Sequence, residues 1–451
     1  MQAGAQSPSS SSRVLVPPRE ILRLAVPAFL TLIAEPLFLL ADNAIVGYLG
    51  TAPLAGLGVA SAVLLTLVGV FVFLAYGSTA VVARRAGAGD TRGAIGAGLD
   101  GMYLAVLLGV ASALGLVLLA RPVVGLFDTS PEVAGQAVIY LTISAYGIPS
   151  MLVVLAATGV LRGLQDTRTP LVVASVGFPV NAALSLWWVH GMGLGIAGAA
   201  WGTVVAQSGM ALALVAVVLR GARHAATPRG FHPAGVLNAA VGGVPLILRT
   251  LSLRATLLAT TWVAAAQGDV ELAAFQVSLT VWNTAVFALD ALAIAAQAIT
   301  GKYLGASDVP RTRQALSTLV RWAMWFGLAL GLVLAALHAV IPLGFSTDPQ
   351  VRVAIAAALL VVAASQPISG VAFVLDGVLM GAGDMWWLAL AQAGLLLAYL
   401  PLLYAVWASG VSGTAGLVWL WVAFSAFMVL RAVVFVLRSR SDRWMVTGAK
   451  R

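Results

Sequence analysis

Two carboxylates interrupt the apolar stretch LAVPAFLTLIAEPLFLLADNAIVGYLG at residues 24–50, and they are the first candidates for chemistry in this chain. Glu35 and Asp42 are seven residues apart, two turns of helix, so they share one face about 10 Å apart along the axis at 1.5 Å per residue. A carboxylate at mid-bilayer depth costs roughly 2.5–3.5 kcal/mol on insertion scales, so each needs a partner or a function. In a low-dielectric pocket a carboxylate is biased towards its neutral form and can exchange a proton when a cation or substrate enters. If substrate and proton compete for one acid, the outcome is antiport. Asp42 is the first choice for that role and Glu35 a weaker one, because a structural pair of carboxylates satisfied by a neighbouring Arg or Asn explains Glu35 as well.

The elements that position these acids are membrane spans. Hydrophobic residues are 61% of the 451 and charged residues 9%, with a mean hydropathy of +1.00, a composition that excludes a soluble core and points to an all-α polytopic membrane protein. Cysteine is absent and the four His are scattered at 190, 224, 232 and 338, which removes thiol chemistry and a histidine-built metal site. The net charge of +9 does not signal nucleic acid. Basic residues cluster in alternate loops (Arg84, Arg85 and Arg92; Arg220, Arg223 and Arg229; Lys302, Arg311 and Arg313), whereas the intervening loops hold Arg121 and Arg352. That distribution places both termini in the cytoplasm.

Residues 1–18 read as a disordered cytoplasmic tail. Apolar spans follow at 20–49, 53–83, 93–120, 133–161, 169–189 and 196–219, forming an N-lobe over 19–219. A basic connector (220–236) leads to spans at 237–266, 271–301, 312–337, 351–380, 385–408 and 413–438, the C-lobe over 237–438, with a basic cytoplasmic tail at 439–451. The two sets of six are copies. Val26-Pro27 and Val244-Pro245, Gly87 and Gly305, Asp90 and Asp308, Pro149 and Pro367, and GVLRGLQD (159–166) and GVLMGAGD (377–384) are all separated by 218 residues. An even number of crossings per copy makes this a parallel repeat, of the kind that binds substrate where the halves face each other.

Polar residues that the copies do not share mark candidate sites. Opposite Asp42 stands Thr260, and opposite Asn181 stands Tyr399. Asn181 and Ser185 are one turn apart, so a cluster of Asp42, Asn181 and Ser185 can hold a proton or a small cation. In the second copy Gln276, Asn283, Asp290 and Gln297 recur every seven residues, a polar seam that lines either a cavity or a helix interface. Arg249 and Arg254 are the expected partners of Asp290, and Asp376 reads equally as interfacial or buried.

The stretch EPLFLLADNAIVGYLG, the region 181–207 and LDALAIAAQAITGKYLG (289–305) resemble the multidrug and toxic compound extrusion (MATE) family, specifically its DinF-like branch, over about residues 20–438. The resemblance implies twelve helices in two six-helix bundles around a V-shaped cleft, and an inner-membrane antiporter that exports organic compounds in exchange for H⁺ or Na⁺. It places the family's first-span acid at Asp42 and its fifth-span Asn at Asn181, so Na⁺ is an alternative occupant at Asp42 and Asn181. Ser185 stands where archaeal members carry a second acid, which favours H⁺. Glu35-Pro36 and Arg249-Thr250 are similar to features of plant relatives, some of which export organic acids, so an anionic substrate stands beside a cationic drug. The expected partners are a small-molecule substrate, H⁺ or Na⁺ and the lipid bilayer, without nucleic acid or cofactor, and the expected state is a monomer. A lipid-linked oligosaccharide flippase of the same superfamily is the alternative, against which only Arg249 and Arg254 supply cavity charge. No Gly-x-Ser-x-Gly elbow or phosphate-binding loop appears, which disfavours a membrane-embedded enzyme.

Overall fold

The computed structural model describes residues 17–449, apart from the side chains of Glu35 and Phe38. Most of the expected N-terminal tail therefore lies outside the described residues. The first half comprises α1 (Pro18–Gly47), α2 (Thr51–Phe71), α3 (Phe73–Gly87), α4 (Thr91–Gly125), α5 (Pro131–Ala145), α6 (Ile148–Gly163), α7 (Arg168–Leu186) and α8 (Ile196–His224). The second half comprises α9 (Pro233–Gln267), α10 (Asp269–Gly305), α11 (Val309–Leu337), α12 (Pro349–Gly381), α13 (Met385–Ala408) and α14 (Gly413–Arg440). Among the described residues there is no strand. α2 and α3 form one span across Val72, and α5 with α6 form another that bends by 52°, which brings the total to twelve.

Prolines shape these helices where sequence places them. Pro27 has no N–H for the carbonyl of Arg23, and the Thr167 hydroxyl donates to that carbonyl instead, at 3.2 Å. The copies part at Pro149 and Pro367. The first breaks at Tyr146-Gly147 into α5 and α6, whereas α12 runs unbroken through Pro367. Gly147 is replaced there by Ser365, and Ser365 and Gln366 both donate to the Val362 carbonyl, at 2.8 and 3.1 Å.

The repeat is physical as well as textual. A Cβ on Gly159 would lie 2.4 Å from the carbonyl oxygen of Ala75, and one on Gly377 would lie 2.2 Å from that of Ala293, the same contact 218 residues on. Asp90 caps α4 through the Gly93 N–H, and Asp308 caps α11 through the Arg311 N–H. Both copies thus pack their second span on their fourth through glycine and begin their third with the same cap.

The halves meet at the ends that carry the basic loops. Lys302 pairs with Glu20 at 2.8 Å, Tyr303 donates to the same carboxylate at 2.8 Å, and Gln165 donates to the Ala298 carbonyl at 3.0 Å. About 21 Å back along α10 from Asp290, by helix rise, Gln276 is exposed. On the basic-loop side a cavity lies between the halves, lined by Phe73, Gly77 and Arg84 of the first and by Gly242, Pro245 and Met385 of the second.

Two segments outside the apolar spans are ordered. α8 continues to His224 and α9 begins at Pro233, so only 225–232 is non-helical in the connector, because nothing in RGARH breaks a helix once it leaves the apolar layer. At the other end, residues 441–449 of the expected basic tail are docked. Trp444 is fully buried, the Gly448 N–H donates to the Leu304 carbonyl, and Arg84 donates to the carbonyls of Val446, Gly448 and Ala382.

Candidate functional site

Asp42 lies in the last turns of α1 and is 3% exposed. Its Oδ2 accepts from the Thr203 hydroxyl of α8 at 3.4 Å, and its Oδ1 has no hydrogen-bond partner. Among the described residues no Lys, Arg or His pairs with it. Asn181 and Ser185 of α7 are buried one turn apart, with the Ser185 hydroxyl donating to the Asn181 carbonyl oxygen at 3.2 Å. Ser185 packs on Gly202, next to Thr203, so α8 brings the α7 pair and the α1 acid to one level. Tyr140 of α5 is close enough for the Asp42 charge to act on it.

The second copy shows how the two key positions relate. Thr260 and Tyr399, the counterparts of Asp42 and Asn181, have their hydroxyl oxygens 3.0 Å apart. These positions face one another across the second lobe, and in the first the corresponding helices α1 and α7 are packed together. In the second lobe the space is closed by aromatic rings, with Tyr399 5.1 Å from Phe427 and 6.4 Å from Phe424 between centroids. In the first lobe the same place holds a carboxylate and amide and hydroxyl oxygens. Such a donor set can hold a proton shared among oxygens, or a small hard cation. The residues proposed for Na⁺, Asp42 and Asn181, offer one charged ligand and neutral oxygens; no group of three or more His, Cys, Asp or Glu that could hold a metal occurs among the described residues. Glu35 belongs to the same helix, and its side chain lies outside what the structure describes.

The C-lobe residues part company with expectation. Arg249 does not pair with Asp290: its Nε and Nη2 both donate to Asp376, and Arg431 of α14 donates to the same carboxylate at 2.8 Å. Asp376 is 1% exposed, so it is buried and not interfacial. The physical reason is geometric. A planar guanidinium favours a carboxylate that can take two parallel bonds, and Asp376 of α12 lies within reach of the Arg249 fork. Arg254 is exposed and lies over Gly69 of α2, not on Asp290. The seam on α10 runs from exposed Gln276 and Asn283, through half-buried Asp290, to buried Gln297. Asp290 accepts from the Tyr76 hydroxyl at 3.1 Å, and Gln297 donates to the Tyr76 carbonyl at 2.7 Å, so the inner part of the seam faces the other half.

Sequence reasoning passed over Thr203, Tyr140, Tyr76 and Arg431. Thr and Tyr carry no signal in an apolar helix. Arg431 had one: it stands nine residues inside the end of α14, too deep for a simple anchor.

The MatE family model matches the chain twice, over residues 27–187 and 245–405, two segments offset by the same 218 residues as the internal copies. Protein DETOXIFICATION 44, chloroplastic, of Arabidopsis thaliana is 30% identical over 94% of this chain and 83% of its own length. The DNA damage-inducible protein F of Escherichia coli K12 is 28% identical over 92% of this chain and 90% of its own. Among solved structures, the Vibrio cholerae MATE transporter VcmN in its bent form superposes with a TM-score of 0.86 at 22% identity, over 95% of this chain and 96% of that one. A MOP-superfamily transporter from Pyrococcus furiosus gives 0.82 at 20% identity, over 94% and 95%. A bundle of six spans written twice and matched twice by one family model, with transporters among its relatives, marks a membrane transporter and not an enzyme. The chain belongs to the MatE family of multidrug and detoxification transporters.

Proposed function

We propose that this chain is a proton-coupled antiporter of the plasma membrane, working as a monomer with both termini cytoplasmic, which exports organic compounds by rocking its two lobes. The observation that carries the reading is Asp42: a carboxylate 3% exposed, with one oxygen unpartnered and no Lys, Arg or His paired with it among the described residues. An ionised carboxylate left so would be unstable at that depth, so the site is stable only with a proton or a small cation on it. Binding and release of that proton on opposite sides of the membrane couples its inward flow to outward movement of substrate. With the basic loops facing the cytoplasm, the two lobes touch on the cytoplasmic side through Lys302–Glu20 and Gln165–Ala298. Na⁺ is the competing occupant of Asp42 and Asn181. Ser185 in place of a second acid leaves the site with a single charge, which a proton neutralises without the five or six oxygen ligands a metal requires.

Proteoliposomes with pH and sodium gradients imposed separately test the coupling, using both a cationic dye and a dicarboxylate as substrates. Efflux that follows the pH gradient and ignores sodium is the expected result. Efflux that follows sodium alone replaces the proton with Na⁺, and independence from both gradients removes antiport.

A further inference from the structure

α7 does not end as an ordinary helix. After Leu186 it passes into a π-helical turn, Trp187–Gly191, and the Met192 N–H reaches back five residues to the Trp187 carbonyl at 2.9 Å. α8 fixes that turn: a Cβ on Gly198 would lie 2.8 Å from the Trp188 carbonyl carbon, so the two backbones touch. The turn presents His190, whose Nε2 is 3.2 Å from the Ile45 carbonyl oxygen of α1. That carbonyl is open to a side-chain donor because α1 tightens at its end, where the Leu49 N–H goes to Val46 and not to Ile45.

A carbonyl only accepts, so Nε2 carries the hydrogen of this contact and Nδ1 is left as an acceptor. The ring is exposed, and no hydrogen bond or ion pair engages Nδ1 among the described residues. Ile45 follows Asp42 by three residues, on the same face and about 4.5 Å further along the axis. The imidazole is therefore held about one turn beyond the carboxylate whose Oδ1 has no partner. Its surroundings add no competing charge. Residues 42–50 bring Asp42 and the exposed phenol of Tyr48, α2 carries no charged side chain, and the helices packed on the turn carry none in α7 after Arg168 or in α8 before Arg220. The second copy lacks the whole arrangement. Ala408 stands in the place of His190 and Thr260 in that of Asp42, and α13 continues as α-helix to Ala408.

We infer that His190 relays protons between the outer water and Asp42. This relay rests on the proton-coupled reading above and adds the residue through which protons reach its acid. With the termini cytoplasmic, α1 ends on the outer side, and His190 lies between that side and Asp42. Imidazole is the side chain that gains and loses a proton between about pH 5 and 8. Nδ1 takes a proton from the outer water, and Nε2 gives its own through water to the Asp42 carboxylate. The ring, left with its hydrogen on Nδ1, returns to the first tautomer by exchange with solvent. One proton enters and one leaves, so the ring is unchanged over the cycle.

Proton uptake into proteoliposomes holding ethidium and a trapped pH-sensitive dye tests this, with the outer pH varied between about 5 and 8. His190→Gln keeps an N–H for the Ile45 carbonyl but cannot titrate. Its uptake is expected to slow by about ten-fold or more and to recover when millimolar imidazole is added outside. Ethidium binding in detergent and Tm are expected to match wild type, and His338→Gln, at the end of α11, is expected to take up protons like wild type. Uptake by His190→Gln at the wild-type rate across that pH range overturns the relay and leaves proton antiport at Asp42 standing. So does slow uptake that imidazole does not restore, which would make His190 a cap on α1 alone. No proton uptake by wild type overturns the coupling itself, and the relay with it. If His190→Gln does not give a monodisperse protein, His190→Ala decides by the same imidazole rescue.

Discussion

Gly87 and Gly305 occupy the same position in the two copies, and each lies on the other copy's backbone. A Cβ on Gly87 would stand 2.0 Å from the carbonyl oxygen of Lys302, and one on Gly305 would stand 1.9 Å from that of Arg84. Lys302 precedes Gly305 by three residues, and Arg84 precedes Gly87 by three. The contact is therefore reciprocal about an axis between the lobes, as in a two-fold dimer interface built within one chain. It closes the basic-loop side.

Because no side chain fits there, Gly87→Val is expected to force that side open. Ala298, buried beneath the contact at 1% exposure, reports it. The chain has no native Cys, so a single Ala298→Cys is a clean probe. Maleimide is expected to label it several-fold faster in the Gly87→Val background. Equal rates would show that the glycine contact does not hold the lobes together.

The Arg249–Asp376–Arg431 cluster is expected to matter more for folding than for coupling. Asp376→Asn leaves two buried guanidiniums without a counter-charge, a loss of about 3–5 kcal/mol for a broken buried pair. Thermal unfolding in detergent is expected to show a clear drop in Tm relative to wild type, while Arg431→Met, which removes one of the two competing cations and fills an aromatic slot, is expected to lose less. A Tm unchanged by Asp376→Asn would contradict this.

The docked C-terminus is a strap across the closed side. Arg84 of the first half holds the carbonyls of Val446 and Gly448, while Trp444 is buried against the second. A chain ending at Arg440 is expected to open that side, raising labelling of Ala298→Cys above wild type but below Gly87→Val. Labelling at the wild-type rate would leave the strap without a role in closure.

Much of this architecture was readable in the sequence, for a physical reason. Gly159 and Gly377 mark close backbone approaches, and Pro149 and Pro367 are visible as prolines inside apolar spans, so all four kept their register while the residues between them changed. Asp42 was conspicuous because an acid in an apolar run is costly. The partner of Arg249 was not legible: Asp376 is 127 residues away on another helix, whereas the seven-residue seam made Asp290 the obvious choice. Arg162 was hidden by position. It stands in the last turn of α6, and only packing of that helix against its neighbours buries it.

If the substrate is a dianion, exchange for one proton moves three charges across the membrane, each worth about 2.3 kcal/mol per 100 mV. An inside-negative potential is then expected to accelerate succinate efflux at constant pH gradient, measured with potassium and valinomycin. Export of a monovalent cation for one proton moves no net charge. Insensitivity of succinate efflux to potential would contradict dianion–proton exchange.

The central claim is that Asp42 carries the proton, and proton entry itself tests it most directly. With a pH-sensitive dye trapped in proteoliposomes, wild type is expected to take up protons as substrate leaves, and Asp42→Asn, expressed and folded alike, to take up none. Proton uptake by Asp42→Asn at the wild-type rate would contradict the account.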